Sequence, residues 1–327
     1  MNEKMMKKLL MKTLLAVLLP ALLPQTAAAQ FEGDPYDFQV DFLRYTINSD
    51  GTSVTVTDHD YDNAGDVVIP ETVAYGGTTY TVSIIGWFSF FGCGTLTSVT
   101  IPSSVTEIHS AAFAECSNLS SITIPSSLTH IEGGAFDNTA WFNNQSDGLA
   151  YAGLVAYRYK GIMPGGTHIE IKEGTKGIAV GCFSEYMELT SVTIPSSVIE
   201  IGDNSFYGCS NIAEMTCLSE IPPHVNDALV TFNGMDCDNC KLYVPAGSKS
   251  AYATTYPWSR FKDIIEIGTS LTGDVTGDGK VDVNDVNTVI NIILGKAEGN
   301  LAAGDVTGDG KVDIGDVNAI INKVLGK

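Results

Sequence analysis

A repeat of 23 residues runs through the middle of the chain and constrains its fold more than any other feature. Three copies of Ser-Val/Ile-Thr-Ile-Pro-Ser-Ser begin at Ser98, Ser121 and Ser191. Phenylalanines recur 23 residues apart within two blocks, at Phe90, Phe113 and Phe136 and at Phe183 and Phe206. The 47 residues from Phe136 to Phe183 equal two repeats plus one residue, so we predict an altered repeat around residues 148–166. A fixed period of this length indicates a solenoid.

One repeat unit has a readable pattern. Val99 and Ile101 alternate with polar residues, which indicates a short strand with one buried face. Pro102 has no N–H and ends that strand. The apolar residues that return the chain across the core are Val105, Ile108 and Phe113. A single unit cannot bury its own apolar face, so stacked units and a parallel sheet along one side are expected.

These repeats resemble the BspA-like leucine-rich repeat family of bacterial surface proteins. The resemblance covers roughly Asp66 to Ile267, from VVIPETVAYGGTTYTVSIIG to LYVPAGSKSAYATTYPWSRFKDIIEI. It implies a mainly β leucine-rich-repeat solenoid with a parallel sheet. It also implies extracellular recognition, such as adhesion to host or bacterial surfaces, without naming a glycan or protein ligand.

Two nearly identical segments, GDVTGDGKVDVNDVNTVINIILG and GDVTGDGKVDIGDVNAIINKVLG, lie 31 residues apart near the end of the sequence. Each matches the twelve-residue calcium loop of an EF-hand, with a glycine at the sharp turn. The candidate Ca²⁺ ligands at positions 1, 3, 5, 7, 9 and 12 are Asp274, Thr276, Asp278, Lys280 (backbone carbonyl), Asp282 and Asp285, and Asp305, Thr307, Asp309, Lys311 (backbone carbonyl), Asp313 and Asp316. Two ions are therefore expected; an acidic surface turn without an ion is the alternative.

A helix is predicted after each loop. The first apolar stripe is Val286, Val289, Ile290 and Ile293, and the second is Val317, Ile320, Ile321 and Val324. Gly295 and Gly326 stand where these helices would end. Neither half has the entering helix of a complete EF-hand, so we expect two loop-helix units packed stripe to stripe.

Tandem loop-helix units with Asp at position 12 resemble the type I dockerin domain. This resemblance implies a small all-α calcium-binding module that docks onto a cohesin-type scaffold protein. It places partner contacts at loop positions 10 and 11, which are Val283 and Asn284 in one copy and Ile314 and Gly315 in the other. These pairs differ from the Ser-Thr pair of clostridial cellulosomes and from each other.

The beginning of the sequence predicts export. Lys4, Lys7, Lys8 and Lys12 precede a short apolar run, and Ala27 to Ala29 supplies small residues for cleavage near Ala29. The run is too short to span a bilayer. Residues 1–29 carry four Lys and one Glu, a net +3, so the total of -20 leaves -23 for the remainder. Such an acidic chain would repel nucleic-acid phosphates, so no nucleic-acid partner is expected.

Seven cysteines leave three interpretations open. Cys93, Cys116 and Cys209 occupy one repeat position, which indicates small buried residues. Cys237 and Cys240 form a C-x-x-C that could also be a local disulfide, or a metal site completed by Cys217 and His224.

Two candidate binding surfaces on the solenoid also have structural alternatives. The first is a polar ladder of outward residues: Ser98, Thr100, Ser121, Thr123, Ser191 and Thr193. Ser and Thr also simply suit an exposed strand face. The second is the cluster Tyr151, Tyr157 and Tyr159, which either contacts a ligand or packs the irregular repeat.

No catalytic constellation is recognisable, so we expect a protein that is not an enzyme. Glu107 and Glu200 share one repeat slot, where a neighbouring unit carries His130. We interpret this slot as a freely varying solvent-facing position rather than the fixed carboxylate pair of a glycosidase.

The sequence therefore predicts a secreted or surface-held binding protein tethered by its calcium-loaded tail. A subunit of a polysaccharide-degrading complex and a calcium-capped structural protein without a docking partner are the alternatives. The predicted segments are a signal peptide (1–29), an N-terminal cap (30–65), the repeats (66–267), a linker (268–272) and the dockerin-like module (273–327).

Overall fold

The structure, a computed structural model, describes residues 36–59, 65–225, 230–267, 273–276, 281–296 and 301–325. The predicted leader and linker lie outside the described residues, as do Asp278, Lys280 and Gly326. Everything stated below concerns the described ranges.

An antiparallel meander begins the described chain. Its strands are β1 (Phe38–Val40), β2 (Leu43–Ile47) and β3 (Ser53–His59). The next strands are β4 (Asp66–Val68), β5 (Thr72–Tyr75) and β6 (Thr78–Ile85). β5 and β6 form an antiparallel hairpin, but β6 pairs parallel with β3. The chain thus changes here from antiparallel pairing to the parallel pairing of the repeats.

The first block of repeats places strands on two sides of the solenoid. The Ser-Val/Ile-Thr strands are β7 (Ser98–Thr100) and β9 (Ser121–Thr123), which form a parallel sheet with β4. Two-residue strands, β8 (Glu107–Ile108) and β10 (His130–Ile131), continue the ladder from β6 on another side. The prediction of a sheet along one side was therefore incomplete, because a two-residue strand is too short to show a period of two.

A hairpin replaces the regular turn at the predicted altered repeat. Helix α1 (Ala140–Asn143) leads into β11 (Gly148–Ala152) and β12 (Val155–Lys160), which pair antiparallel. Thr139 caps α1 by accepting the N–H of Phe142 at 3.1 Å. The sheets before and after the hairpin are separate, and β12 starts the second block by pairing parallel with β14 (Gly177–Ile178).

The second block repeats the two-sided arrangement. One side carries β13 (Thr167–Glu170), β15 (Leu189–Ile194), β17 (Glu214–Cys217), β19 (Lys241–Pro245) and β20 (Asp263–Ile267). The other continues from β14 to β16 (Glu200–Ile201) and β18 (His224–Val225). Helix α2 (Lys249–Thr254) and a 3-10 helix (Trp258–Arg260) follow β19. The indole of Trp258 is fully buried and donates to the carbonyl of Pro223, which closes this end of the core.

Stacked phenylalanines form the centre of the solenoid. Phe90, Phe113 and Phe136 lie parallel in one apolar cluster, with ring centroids 5.1 and 5.6 Å apart. Phe183, Phe206 and Phe232 stack in a second cluster, with centroids 5.4 and 5.9 Å apart. The hairpin separates the two stacks, where Tyr157 meets Phe136 edge-on at 5.4 Å. The predicted parallel solenoid is confirmed, with about 8 turns.

The end of the described chain is helical, as predicted. Its helices are α3 (Val283–Ile293), α4 (Leu301–Gly304) and α5 (Ile314–Val324). A small separate core holds the buried side chains Val275, Val289, Val317 and Ile320. Among the described residues, no helix combines the length and the apolar content that a membrane span requires.

The predicted apolar stripes are partly wrong. In α3, Val286, Val289 and Ile292 face the small core, whereas Ile290 and Ile293 are exposed. In α5 the predicted Val317, Ile320 and Ile321 pack inward, but Val324 is exposed. The α3 sequence contains two overlapping stripes, and the contact with α5 selects one of them. The other stripe remains on the surface.

Candidate calcium loops and docking surface

The second candidate loop is described in full, and its first aspartate organises the turn. The Asp305 carboxylate accepts N–H bonds from Gly308, Asp309 and Gly310 at 2.8 to 3.1 Å. Gly310, at the sharp turn, has φ of +82°, a conformation that strongly favours glycine. Backbone amides thus hold the position-1 carboxylate toward the loop interior.

The position-12 aspartate is buried in both loops and bonded to the start of its own loop. Oδ1 of Asp285 accepts the Thr276 N–H and hydroxyl, each at 2.9 Å, and Oδ1 of Asp316 accepts the equivalent groups of Thr307 at 2.9 and 3.0 Å. Burial alone would raise the pKa of the Asp285 carboxyl, but the amide of Asp282 and the donors of Thr276 outweigh it and hold that pKa below its ordinary value.

The position-9 aspartate begins each helix. Asp282 accepts the N–H of Asn284 and Asp313 accepts that of Gly315, both at 2.7 Å. The position-12 carboxylate returns the interaction by accepting the N–H of position 9, which completes a capping box in both copies. Loop and helix are therefore one hydrogen-bonded unit, and both termini of the loop converge on position 12.

The donor set fits a hard cation chemically, because it consists of carboxylate, hydroxyl and carbonyl oxygens. In the structure these carboxylates are bonded to amides and hydroxyls of their own loops. Within the described residues, no three acidic, histidine or cysteine side chains converge on one point as metal ligands. Asp278 and Lys280 lie outside the described residues, so the first loop is described only at positions 1, 3, 9 and 12.

The predicted partner residues lie in the first turns of α3 and α5. Val283 and Ile314 are 61% and 68% exposed, although both are large and apolar. Asn284 is also exposed, and Gly315 is half-buried. Further exposed apolar residues follow on the same helices, at Ile290, Ile293, Leu294, Val324 and Leu325. This apolar surface, which we call the docking face, was not predicted beyond Val283 and Ile314.

The solenoid surfaces are now distinguishable. The polar ladder residues are exposed or half-buried, and Ser98 donates its hydroxyl to Asp66 at 2.7 Å. Tyr157 instead belongs to the core: it is 2% exposed, and its hydroxyl accepts the N–H of Phe136 at 3.0 Å. Tyr151 and Tyr159 are half-buried, and the Lys172 ammonium lies 4.3 Å from the centroid of the Tyr151 ring.

All seven cysteines are buried thiols without a disulfide. Cys116 and Cys209 donate their thiols to the carbonyls of Phe90 and Phe183, in the preceding turn. Burial raises the pKa of Cys209 and of Cys240 to about 12. Thus the repeat cysteines join neighbouring turns, and the C-x-x-C pair is part of the core.

The shared slot of Glu107, His130 and Glu200 is not freely varying. Nδ1 of His130 lies 2.7 Å from Oε1 of Glu200, although 70 residues separate them. Glu107 contacts His109 at 3.3 Å. The interpretation of a solvent-facing position without partners is therefore wrong, because the hairpin brings non-neighbouring repeats together at this slot.

Comparisons with known proteins follow this division of the chain. A model of the BspA type leucine rich repeat region matches in six copies, over residues 78–145 and 164–228. The unmatched interval contains the hairpin. A model of the dockerin type I domain, a domain that generally binds calcium, matches residues 272–325. No curated protein matches the chain.

Several solved leucine-rich repeat proteins are similar to this chain. One from T. pallidum is 24% identical, covering 55% of this chain and 70% of that chain, with a TM-score of 0.33. One from Bacteroides ovatus is 20% identical, covering 71% and 77%, with a TM-score of 0.35. One from Bacteroides capillosus is 27% identical, covering 52% and 88%, with a TM-score of 0.29. The chain therefore carries BspA-type leucine-rich repeats followed by a dockerin type I domain.

Proposed function

We propose that this protein is a secreted, non-catalytic binding protein with two recognition surfaces. The solenoid recognises a surface or macromolecule, and the calcium-loaded dockerin tethers the chain to a cohesin-type scaffold protein. The observation that carries this proposal is the combination in one chain of BspA-type repeats and a dockerin domain. Neither part is a typical catalytic domain.

Each dockerin loop would hold one Ca²⁺. The candidate ligands are the position-1, 3, 5, 9 and 12 side chains and the position-7 carbonyl. The bonds from Thr276 and Thr307 to the position-12 carboxylates support a shared role for positions 3 and 12 at each loop entrance. A bound cation would join the loop to the helix N-terminus that position 9 already caps.

Calorimetric titration of Ca²⁺ into the EDTA-treated mature chain tests this step. The expected stoichiometry is two ions, falling to one in Asp274→Asn or Asp305→Asn. Asp263→Asn changes an exposed carboxylate on β20 and is the matched control, which should retain both ions. Absence of calcium binding by the unchanged chain would leave the tail without the proposed tethering state.

The docking face supports an apolar partner surface. Val283 and Ile314 occupy equivalent first-turn positions and are both exposed, so each helix offers an apolar anchor. Large exposed apolar patches on small domains mark interaction sites. We therefore propose that the cohesin-type partner contacts this face through apolar side chains rather than through acceptors for Ser and Thr hydroxyls.

Binding of the mature chain to a panel of cohesin modules, in calcium and in EDTA, tests the partner. We expect calcium-dependent binding that Val283→Asp and Ile314→Asp together abolish. Val68→Asp is the control, because Val68 is a similarly exposed valine on β4. Binding that survives the double substitution would overturn the assignment of the docking face. A chain that binds calcium but no cohesin would support the calcium-capped structural alternative instead.

The sheet formed by β13, β15, β17, β19 and β20 is the proposed recognition surface of the solenoid. One row of register partners places charges of both signs beside each other: His168, Ser191, Glu214, Lys241 and Asp263. Binding to bacterial cells, host cells and polysaccharides should fall when Glu214 and Lys241 are both changed to Ala. Unchanged binding, or hydrolysis of a polysaccharide, would contradict the proposal.

A further inference from the structure

The regular ladder between successive turns is interrupted at the hairpin. Before it, His130 on β10 pairs in register with Glu107 on β8. After it, Glu200 on β16 pairs with Gly177 on β14 and with His224 on β18. The two blocks share no continuous sheet, so other contacts must hold them together here.

The backbones of the two blocks approach closely at this interruption. The N–H of Val180 donates to the carbonyl of Ile131 at 2.9 Å. A Cβ built on Gly177 would lie 2.0 Å from the carbonyl oxygen of Thr129. Glycine is therefore required at 177, and no side chain stands between His130 and Glu200.

His130 and Glu200 meet across this gap. Nδ1 of His130 lies 2.7 Å from Oε1 of Glu200, and their side chains are only 14% and 19% exposed. A charged pair in such a shielded place is screened much less by salt than a surface pair. The pair spans β14 and connects residues on opposite sides of the hairpin insertion.

We propose that His130 and Glu200 form a pH-dependent clamp between the two blocks of the solenoid, closed when the imidazole is protonated. A protonated imidazole donates to the carboxylate as a charge-assisted hydrogen bond, which is stronger than a bond between neutral groups. Loss of that proton leaves the Glu200 charge half-shielded without a countercharge on His130.

The neighbouring charges act in the same direction. Burial lowers the pKa of His130, but the bond from Glu200 and the charges of Glu200, Glu132 and Glu107 outweigh it and raise that pKa above its ordinary value. β14 contributes only the uncharged Gly177 at this level. Arg158, on β12, is bonded to Asp137 at 2.6 Å instead.

The sign of the linkage follows from this raised pKa. The contribution of the clamp to stability is complete at pH values below the unfolded-state value of about 6.5. It is lost as the pH rises through the higher folded-state pKa. The junction is therefore expected to loosen from mildly acidic to mildly alkaline conditions.

NMR titration of the histidines in the mature chain tests the clamp, with His130 assigned through His130→Gln. We expect a His130 pKa above 6.5 that falls in Glu200→Gln and stays unchanged in Glu170→Gln, an exposed carboxylate on β13. Amide exchange at Val180, corrected for intrinsic rates, should be faster in Glu200→Gln than in the unchanged chain at pH 5.5. The two chains should exchange alike at pH 8.5.

A His130 pKa at or below 6.5, or a Val180 difference that is independent of pH, would overturn the proposal. A purely structural role of Glu200 would give the second result. If Glu200→Gln does not fold, the His130 pKa and the pH dependence of Val180 exchange in the unchanged chain still decide the question.

Discussion

Phe90 and Phe113 stack with their ring centroids 5.1 Å apart and their planes inclined by 6°. They occupy the same position in successive turns, and the Cys116 thiol bonds the same two turns through the Phe90 carbonyl. Contacts between turns, rather than within one turn, therefore supply the stability of each block.

Truncation of a ring in the middle of a stack should be costly. Phe113 is fully buried between Phe90 and Phe136, so Phe113→Ala should lower the free energy of unfolding by about 3–5 kcal/mol. Thr100→Ala, on the exposed side of β7, should change it by less than about 0.5 kcal/mol. Urea denaturation followed by tyrosine and tryptophan fluorescence measures both. Similar values for the two variants would contradict the stacked core.

Adding one methyl group at the junction should disrupt the close approach of the two blocks. Gly177→Ala places Cβ against the carbonyl of Thr129, so a loss of about 3 kcal/mol is expected, the upper part of the range for overpacking. Gly165→Ala is the matched control, because its Cβ would meet nothing within 4 Å. Thermal denaturation should separate the two variants clearly. Equal melting temperatures would show that the backbones at 129 and 177 can move apart freely.

The buried thiols should resist alkylation in the folded protein. Burial raises the pKa of Cys217 to about 11 and that of Cys209 to about 12, and the thiolate is the reactive form. At pH 8, iodoacetamide should label these cysteines only after denaturation, as mass spectrometry can measure. Rapid labelling of the folded chain would contradict their placement in the core.

The same thiols predict weaker folding at alkaline pH. Their pKa values are higher in the folded state than the unfolded-state value of about 8.5. Stability is therefore complete below that value and falls as the pH rises toward 11 to 12. Urea midpoints between pH 8 and 11 should decrease. Cys209→Ala should weaken this decrease, and a slope equal to that of the unchanged chain would argue against the contribution of Cys209.

Calcium should stabilise the helical tail and leave the solenoid unchanged. The tail has its own core of Val275, Val289, Val317 and Ile320, separate from both phenylalanine stacks. Calcium at about 100 times its Kd would stabilise a one-site module by about 2.7 kcal/mol. Calorimetric scans in calcium and in EDTA should therefore differ in one transition only. A shift of every transition would show that the tail and the solenoid unfold together.

The sequence was sufficient to predict the solenoid because its repeat carries the information redundantly. Each turn repeats the strand, the proline and the buried phenylalanine, so the 23-residue phase identifies even the altered repeat. The second ladder was not predicted, since each turn contributes only two residues to it, such as Glu107 and Ile108. Pairing across turns makes these residues a strand.

The contact between His130 and Glu200 depends on long-range geometry that the sequence does not display. It exists because the hairpin leaves the ladder and Gly177 provides no side chain at the intervening level. The helical tail shows a related limit. Val289 was placed correctly in its core, but the choice between Ile290 and Ile292 depends on how α3 meets α5.

The one-turn-to-one-strand relationship of the ladders also makes the solenoid a spacer of adjustable length. Neighbouring strands lie about 4.8 Å apart, so each added turn of 23 residues lengthens the array by that step. A gene duplication from Ser98 to Ser120 would insert one complete turn while preserving the Phe90–Phe113 stacking geometry on both sides. Related chains can therefore differ in reach by whole steps while keeping the same ends.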